Sequence, residues 1–407
     1  MDIFDSLMEM AYKMNFSMET LDCKDDYGQD TERNQTLYVA TGNASNCSAI
    51  NLDDLKNLLR QGNAVALVTS AQLFFTYFTP VIFTIGVIGN CLSLAVFLSK
   101  NMRKLSGSQY LAALSISDLM VLIFYVFTEW IKRGLPVLTG NVTASFLAHN
   151  GTCQILLYFQ YISRFLSSWL LACFTVERYI GVCHPLKRRD ICDPRASRRI
   201  ILGMVVIGSI YCVYKPILSG VYEVGPNHVP ICTGNPEYAN TSYFLDSTFA
   251  AIITIIPFFI LSVLNVFIIR KLFIRNKHYR KIKIVTEESI IRLEFTIILL
   301  AISICFVTLN LPFFSVWCKI YWTYPDDLDD ASLAGSDSHH LGDALFITRT
   351  IFYINYCINF FLYSVTGAYF RNELRHLFLK KDNYNKYDRR FSANSRSNTH
   401  TTPQSWV

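Results

Sequence analysis

The hydrophobic positions of the chain gather into long uninterrupted stretches, and the charged positions gather between them. A helix that crosses a bilayer needs about 20 apolar residues with few charges. Seven stretches carry at most one charged side chain each: residues 61–99, 105–128, 134–176, 200–214, 247–269, 295–318 and 350–370. The pattern predicts an all-α membrane protein, a bundle of seven transmembrane helices. The fourth stretch is the shortest, and we expect Lys215 at its end to extend its amine to the membrane interface.

Composition supports a membrane protein and excludes two other classes. Hydrophobic residues make up 52% of the 407 residues, charged residues make up 17%, and the mean hydropathy is +0.28. A soluble globular chain has about 25% charged residues. The shortage excludes a disordered protein and a protein that coats nucleic acid, despite the net charge of +6.

Lysine and arginine gather on one side of the predicted bundle. They are frequent in residues 100–104, 187–199, 270–292 and 371–396. Because cytoplasmic loops retain these residues, we expect a multi-pass protein of the plasma membrane with its N-terminus outside. The basic loop of residues 270–292 is expected to contact anionic membrane lipid.

Seven Asn-X-Ser/Thr triplets provide an independent mark of orientation. They begin at Asn15, Asn34, Asn43, Asn46, Asn141, Asn150 and Asn240. All lie on the side that the charges place outside, where glycosylation takes place. The chain does not open with a basic segment and a short apolar core, so the first stretch is expected to serve as a signal anchor.

The cysteines predict one disulfide. Most of the 12 cysteines lie in apolar stretches, where cysteine packs as a small hydrophobe. Cys153 and Cys232 share the oxidising outer side, and we expect them to be joined. Cys23 and Cys47 are also external, and whether they pair stays open.

Polar residues inside the apolar stretches form an ordered series of motifs. Such residues are costly in lipid and mark functional positions. The series is Gly89-Asn90, Leu114–Leu119 with Asp118, Cys153, Glu177-Arg178-Tyr179, Pro257, Pro312, Asn359 to Tyr363, and Phe370-Arg371. In this order and spacing, residues 70–380 resemble rhodopsin-like (class A) G-protein-coupled receptors. The resemblance implies a seven-helix bundle with a short amphipathic eighth helix.

The resemblance also implies how the chain is divided. It predicts an extracellular glycosylated segment (1–70), a transmembrane domain (71–367), an amphipathic helix (368–380) and a disordered cytoplasmic tail (381–407). Phosphorylated serines and threonines of the tail would bind arrestin. Ser405-Trp406-Val407 matches a short motif for a PDZ-domain protein.

An activation switch for a heterotrimeric G protein is implied at the cytoplasmic ends of the helices. Arg178 would pair with Glu177 at rest and be released when the sixth helix moves outward. The implied switch residues are Glu177, Arg178, Tyr179, Phe306, Pro312, Asn359 and Tyr363.

Three departures from the family pattern modify this expectation. Phe360 replaces the usual proline of the seventh helix, which predicts a smaller kink. Asn310 replaces the usual tryptophan of the sixth helix, so Phe306 is expected to take over its role. The usual tryptophan of the fourth helix is absent.

A sodium site is implied by four residues that match the family's sodium pocket: Asp118, Ser167, Asn355 and Asn359. Their hard oxygen atoms suit Na⁺. Sodium would favour the resting state by binding it more tightly. The alternative is a water-filled polar network, and no other cofactor is expected.

Eight residues in the outer halves of the helices are candidate ligand contacts: Glu129, Gln160, Arg164, Asp246, Asn310, Trp317, Arg349 and Tyr353. Gln160 stands where biogenic-amine receptors have an aspartate, which argues against an amine ligand. Tyr353 stands where opsins have their lysine, so no Schiff base can form.

We hypothesise a cationic or amidated extracellular peptide ligand whose positive part binds Glu129. Acidic outer segments, concentrated in residues 326–343, would attract it. Arg164 either holds a ligand carboxylate or amide oxygen or forms a salt bridge with Glu129 or Asp246. Asn310-Leu311-Pro312 and residues 359–367 resemble invertebrate neuropeptide receptors of the FMRFamide-receptor-like type.

Two other functions compete with the peptide receptor. One is a chemosensory or orphan receptor of the same fold with a small-molecule ligand. The other is a seven-helix transporter, which would show internal repeats and broken helices, and neither is evident in the sequence. An enzyme is excluded because the apolar stretches contain no HExxH motif, no Gly-x-Ser-x-Gly motif and no clustered histidines.

Overall fold

The computed structural model describes residues 37–40, 47–50, 68–139, 145–184, 186, 192–224, 229–279, 287–323 and 336–378. Within these ranges the chain is mostly helical, as the long apolar stretches predict. Two short antiparallel hairpins are described: β1 (Leu37–Ala40) with β2 (Cys47–Ile50) before the first helix, and β3 (Ser219–Val224) with β4 (Val229–Gly234) between helices.

The helices follow the order of the apolar stretches. Their bounds are α1 Ser70–Phe97, α2 Ser106–Val121, α3 Phe127–Arg133, α4 Leu135–Thr139, α5 Thr152–Cys183, α6 Pro194–Tyr211, α7 Tyr214–Ile217, α8 Ala239–Tyr279, α9 Glu287–Thr323, α10 Ser336–Tyr353, α11 Asn359–Thr366 and α12 Ala368–Phe378. A π-helical turn, Leu122–Val126, joins α2 to α3. A 3₁₀ turn, Ile354–Tyr356, lies between α10 and α11.

Five helical segments are long and apolar enough to cross a membrane, and a bent pair makes a sixth. They are Ser70–Phe97, Ser106–Thr139, Pro194–Ile217, Pro236–Ile274, Leu293–Lys319, and His340–Tyr356 with Asn359–Thr366. Helix α5 has the length, at 32 residues, but is less apolar. Its charged side chains Arg164, Glu177 and Arg178 are buried among the other helices, so this helix has less need of an apolar surface. With α5 the bundle has the seven helices that the sequence predicts.

The predicted disulfide is confirmed. Cys153, in the first turn of α5, is bonded to Cys232 of β4, and their Cα atoms are 5.6 Å apart. The bond fixes the β3–β4 hairpin across one end of the bundle. We call this the disulfide end, and the opposite end, where α5 carries Glu177 and Arg178, the Arg178 end.

Local sequence signals explain where two helices begin. Thr69 caps α1, because its hydroxyl accepts from the Gln72 backbone N–H while the Gln72 side chain accepts from the Thr69 N–H. Asp193 caps α6 by accepting from the Arg195 N–H, and Pro194 occupies the first helical position.

Aromatic side chains fill the core in two tiers. The tier nearer the Arg178 end includes Phe97, Tyr110, Phe174, Tyr363 and Phe370. The tier nearer the disulfide end includes Phe75, Tyr125, Phe352, Tyr353 and Tyr356. Edge-to-face pairs, such as Phe97 with Tyr363 at 5.1 Å between ring centroids, give both tiers a defined packing.

The seventh span bends by 49° between α10 and α11. The 3₁₀ turn Ile354–Tyr356 interrupts the α-helical hydrogen bonds at this point. The seventh span is therefore bent although Phe360 replaces the usual proline. The bend coincides with the 3₁₀ turn and does not require a proline.

Several predicted features lie outside the described residues. They include the glycosylation positions Asn15, Asn34, Asn43, Asn46 and Asn141, the residue Cys23, the loop of residues 324–335 and the tail after residue 378. Asn150 and Asn240 are described, and both are exposed. Asn150 lies at the disulfide end, where its side chain accepts from the Val221 N–H of β3. Glycosylation itself stays a prediction.

Candidate functional site

An open cleft lies between α5, α8, α9 and α10, on the disulfide side of the bundle core. Its empty space is about 720 Å³, including the solvent at its mouth. The lining residues are Tyr161, Arg164, Ser168, Asp246, Phe249, Ala250, Ile253, Thr254, Asn310, Phe313, Phe314, Trp317, Phe352 and Tyr356. Arg164 is eleven residues beyond Cys153 on α5, which places it about 16 Å deeper along the helix axis.

Arg164 lies among aromatic rings at the wall of the cleft. Its guanidinium carbon is 4.6 Å from the ring centroids of both Tyr125 and Tyr161, and 5.2 Å from that of Phe249. Its Nε donates to the Gln160 carbonyl at 3.2 Å. Aromatic faces stabilise a buried guanidinium. The salt bridge to Glu129 or Asp246 that was one expectation for this residue stays a prediction.

Asp246 lines the cleft with its carboxylate held by three donors. Lys215 Nζ lies 2.8 Å from Oδ2, while the hydroxyls of Tyr161 and Tyr214 donate to Oδ1 at 2.9 and 3.1 Å. The expectation that Lys215 extends to the membrane interface is wrong, because its side chain is 0% exposed. Its partner, Asp246, lies on another helix. Sequence reasoning missed the pair because it did not place Asp246 opposite the end of the fourth stretch.

Glu129 forms a separate ionic cluster outside the lining of the cleft. Its Oε2 accepts from Arg349 Nη1 at 2.6 Å and from Arg133 Nε at 2.9 Å. Glu129 is 1% exposed and Arg349 is 2% exposed. Two internal arginines bind this carboxylate in the structure, and the expected binding of a cationic peptide group by Glu129 stays a prediction.

Gln160 and Tyr353, two further predicted ligand contacts, are also buried outside the lining. Tyr353 packs edge-on against Tyr125, with ring centroids 5.5 Å apart. The structure therefore brings four of the eight predicted contacts to the cleft: Arg164, Asp246, Asn310 and Trp317.

The opposite wall of the cleft is aromatic. Phe313 of α9 stacks on Phe352 of α10 at 5.1 Å, and Phe314 stacks on Trp317 at 6.1 Å. Asn310 directs its amide back to its own helix, where Nδ2 donates to the Phe306 carbonyl at 2.6 Å. Sequence reasoning missed the phenylalanines, because apolar aromatic residues at helical spacing are equally typical of a packed core.

Asp118 is the centre of a buried polar cluster deeper in the bundle. Ser167 Oγ donates to one carboxylate oxygen and Asn359 Nδ2 to the other, both at 2.7 Å. Asn355 is nearly buried, and its Nδ2 has no hydrogen-bond partner within the described residues. A carboxylate, a hydroxyl and amide oxygens are donors that suit Na⁺. The sodium site stays a proposal.

The implied switch residues occupy the Arg178 end and the helices leading to it. Arg178 Nη2 donates to Glu177 Oε1 at 2.8 Å and to Ser106 Oγ at 3.0 Å, and both charged side chains are buried. Tyr179 contacts the His184 ring. Phe306 and Pro312 lie in α9, half-buried, and Tyr363 packs between Phe97 and Phe370.

A further contact at the Arg178 end was missed by sequence reasoning. Glu294 Oε1, on α9, accepts from the backbone N–H groups of Tyr369 at 2.6 Å and Phe370 at 3.4 Å. These N–H groups belong to the first turn of α12, where a helix leaves its donors without internal partners. Gly367 permits this approach, since an added Cβ would lie 3.1 Å from Glu294 Oε1 and only 2.7 Å from the Tyr363 carbonyl oxygen.

Comparison with known proteins agrees with the architecture. The family model of the 7 transmembrane receptor (rhodopsin family) matches residues 89–363. The thyrotropin-releasing hormone receptor of Mus musculus is 27% identical over 213 residues, which are 51% of this chain and 51% of that receptor. Cephalotocin receptor 2 of Octopus vulgaris is 29% identical over 142 residues, 35% of this chain and 31% of that receptor.

The annetocin receptor of Eisenia fetida is 28% identical over 171 residues, 42% of this chain and 37% of that receptor. The chain thus spans about half, or less, of the length of these curated relatives. They are receptors, in agreement with the interpretation that the chain is not an enzyme. Since the family model covers more than half of the residues, the chain belongs to the rhodopsin family of seven-transmembrane receptors.

Proposed function

We propose that the protein is a plasma-membrane receptor for a short extracellular peptide and that it signals through a heterotrimeric G protein. The observation that carries the proposal is the cleft, which has an arginine, an acid and an amide set among aromatic rings. Relatives of the chain are named for thyrotropin-releasing hormone, cephalotocin and annetocin. We propose a ligand of the same general kind.

The chemistry of the lining suits the end of a peptide. The planar fork of Arg164 binds a carboxylate or an amide oxygen with two hydrogen bonds. The rings of Phe249, Phe313 and Phe352 provide flat apolar surfaces for a ligand side chain. The cleft is open at its mouth, so the end of a peptide could enter it while the rest of the peptide lies outside.

Signal transfer would use the Arg178 end of the bundle. Outward movement of α9 would separate Glu294 from α12 and open a surface beside Arg178 for the G protein. Sodium bound by Asp118, Ser167, Asn355 and Asn359 would stabilise the resting arrangement. Arrestin and a PDZ-domain protein remain proposed partners of the tail.

A ligand screen tests the proposal. Cells that express the receptor are exposed to a library of amidated and free-acid neuropeptides while intracellular calcium and cAMP are recorded. We expect at least one peptide to act, and Arg164→Gln to reduce its potency about tenfold or more. Glu237→Gln, which alters an exposed charge near β4, is the matched control and should leave potency unchanged.

The small-molecule alternative gives a different result in the same assay. Responses to small odorants, with silence across the peptide library, would replace the peptide proposal by a chemosensory receptor. Amidated peptides acting better than cationic free-acid peptides would favour the FMRFamide-receptor-like assignment.

A further inference from the structure

We propose that Lys215 determines the charge of the ligand that the cleft accepts. By neutralising Asp246 from inside the bundle, it makes the cleft select a carboxylate or a carboxamide and reject an ammonium or guanidinium group. This proposal rests on the proposed receptor function and specifies its ligand class.

The first argument is the number of donors already bound to Asp246. Its two oxygens accept from Lys215, Tyr161 and Tyr214, all at 3.1 Å or less. The Lys215 amine also lies 5.0 Å from the Tyr161 ring centroid, so its charge is stabilised on two sides. The acid is therefore part of an internal network as well as of the cleft wall.

The second argument is the consequence of burial. Lys215 is fully buried and Asp246 is 5% exposed. A cationic ligand group would have to share or replace the Lys215 amine at the carboxylate. Because separating a buried ion pair leaves an uncompensated charge in the interior, this exchange is strongly unfavourable.

The third argument is the net charge of the site. Lys215, Asp246 and Arg164 together carry one net positive charge, and Arg164 and Asp246 face the cleft. A positively charged site in surroundings of low dielectric constant attracts anions and the negative ends of amide dipoles. The preference is opposite to the cationic ligand that the acidic outer loops indicate at the level of sequence.

The position of Lys215 follows from a break in the fourth span. Helix α6 ends at Tyr211, and after two residues the short helix α7 (Tyr214–Ile217) begins. Backbone hydrogen bonds Cys212 N–H to Gly208 and Lys215 N–H to Cys212 define this turn. In the resulting geometry the lysine side chain points toward α8, where it meets Asp246.

The test uses two series of probes that differ only in their end group. The small series is 3-phenylpropionate, 3-phenylpropionamide, phenethylamine and phenethylguanidine. The peptide series is a phenylalanine tripeptide library with a free carboxylate, a carboxamide, an ammonium or a guanidinium as its single polar end group. Binding is measured as thermal stabilisation of the purified full-length receptor.

In the wild type we expect the carboxylate and carboxamide probes to bind at least tenfold more tightly than the cationic probes. In Lys215→Met the order should reverse, and in Lys215→Met/Asp246→Asn the gain of cationic binding should disappear. Lys215→Arg keeps the charge and should keep the wild-type preference. If Lys215→Met does not fold, the preference of the wild type between anionic and cationic probes still tests the proposal, with Lys215→Arg as its control.

Equal or tighter binding of the cationic probes to the wild type overturns the proposal, as does a wild type that binds neither series. An unchanged preference in Lys215→Met also overturns it. Acidic small probes that bind with the expected preference, while the peptide series is silent, would overturn the peptide receptor function and leave the role of Lys215 supported.

Discussion

The two ends of the bundle bury ions in different ways. At the disulfide end, Lys215–Asp246 and Arg349–Glu129 join partners 31 and 220 residues apart, on different helices. At the Arg178 end, Glu177 and Arg178 are neighbours on one helix. The pairs at the disulfide end therefore join different helices, whereas the Glu177–Arg178 pair lies within one helix and Arg178 contacts a second helix through a hydrogen bond to Ser106.

The links between helices that we describe at the Arg178 end are hydrogen bonds, one from Arg178 to Ser106 of α2 and others at the surface of α12. Glu294 reaches it from α9, and Glu373 of α12 accepts from Ser99 and Asn101 after α1. Removing one partner of a buried ion pair costs about 3–5 kcal/mol, whereas leaving a buried hydrogen-bonding group without its partner costs about 1–3 kcal/mol. We infer that the disulfide end is more sensitive than the Arg178 end to the loss of one side chain.

Removing one partner of an ion pair at the disulfide end should give the largest loss of stability. Arg349→Gln leaves Glu129 with Arg133 alone, and we expect a loss of about 3 kcal/mol of stability because a buried charge loses a partner. Thermal unfolding of the purified receptor and surface expression measure this. Glu129→Gln/Arg349→Gln should recover much of the loss, and a double variant as unstable as the single one contradicts a role for the ion pair.

Removing the Glu294 acceptor should have an intermediate effect. Glu294→Leu leaves two N–H groups of α12 without their acceptor, which costs about 1–2 kcal/mol and should raise basal G-protein signalling severalfold. Glu294→Gln retains an acceptor oxygen and is the matched control. Basal signalling in transfected cells, normalised to surface expression, measures the difference, and equal signalling in the two variants contradicts the link.

Neutralising the Glu177–Arg178 ion pair should change basal signalling more than it changes the stability of the fold. Glu177→Gln retains a hydrogen bond to Arg178 but loses about 1 kcal/mol of charge assistance, which corresponds to about a fivefold rise in basal signalling. The unfolding temperature should change by less than about 2 °C. A large fall in unfolding temperature would show that this pair is a structural link like those at the disulfide end.

Sodium should give the smallest effect. Replacing NaCl by KCl at constant ionic strength should raise basal signalling about twofold, since sodium would bind the resting state better. Measurement in isolated membranes with the variant Asp118→Asn is decisive, because that variant should no longer respond to the exchange. A wild type that does not distinguish the two salts contradicts sodium binding and favours the water-filled network.

Much of the Arg178 end was predictable from the sequence, because its interacting residues are close together along the chain or within one helix. The Glu177–Arg178 pair is adjacent along the chain, and Asp118, Asn359 and Tyr363 were recognised by fixed spacing within apolar helices. The Glu294 contact was not, since it depends on how closely α9 approaches the start of α12.

The disulfide end was predicted less well, because its ion pairs depend on the rotation of each helix about its own axis. The π-helical turn Leu122–Val126 adds a residue to the second span and rotates the remainder of that span by about 100°. Glu129 comes directly after this turn, and the position of its carboxylate beside Arg349 cannot be read from regular helical spacing.

The sequence by itself determined the seven spans, the family, the Cys153–Cys232 disulfide and the positions of the polar motifs, since these follow from apolar length, sidedness and local spacing. Only the tertiary structure decided that Lys215 turns inward to Asp246, that Glu129 is bound by two arginines, and that Arg164 lies between aromatic rings. Interactions between helices depend on the orientation of each helix about its own axis. That orientation is set by the packing of the whole bundle.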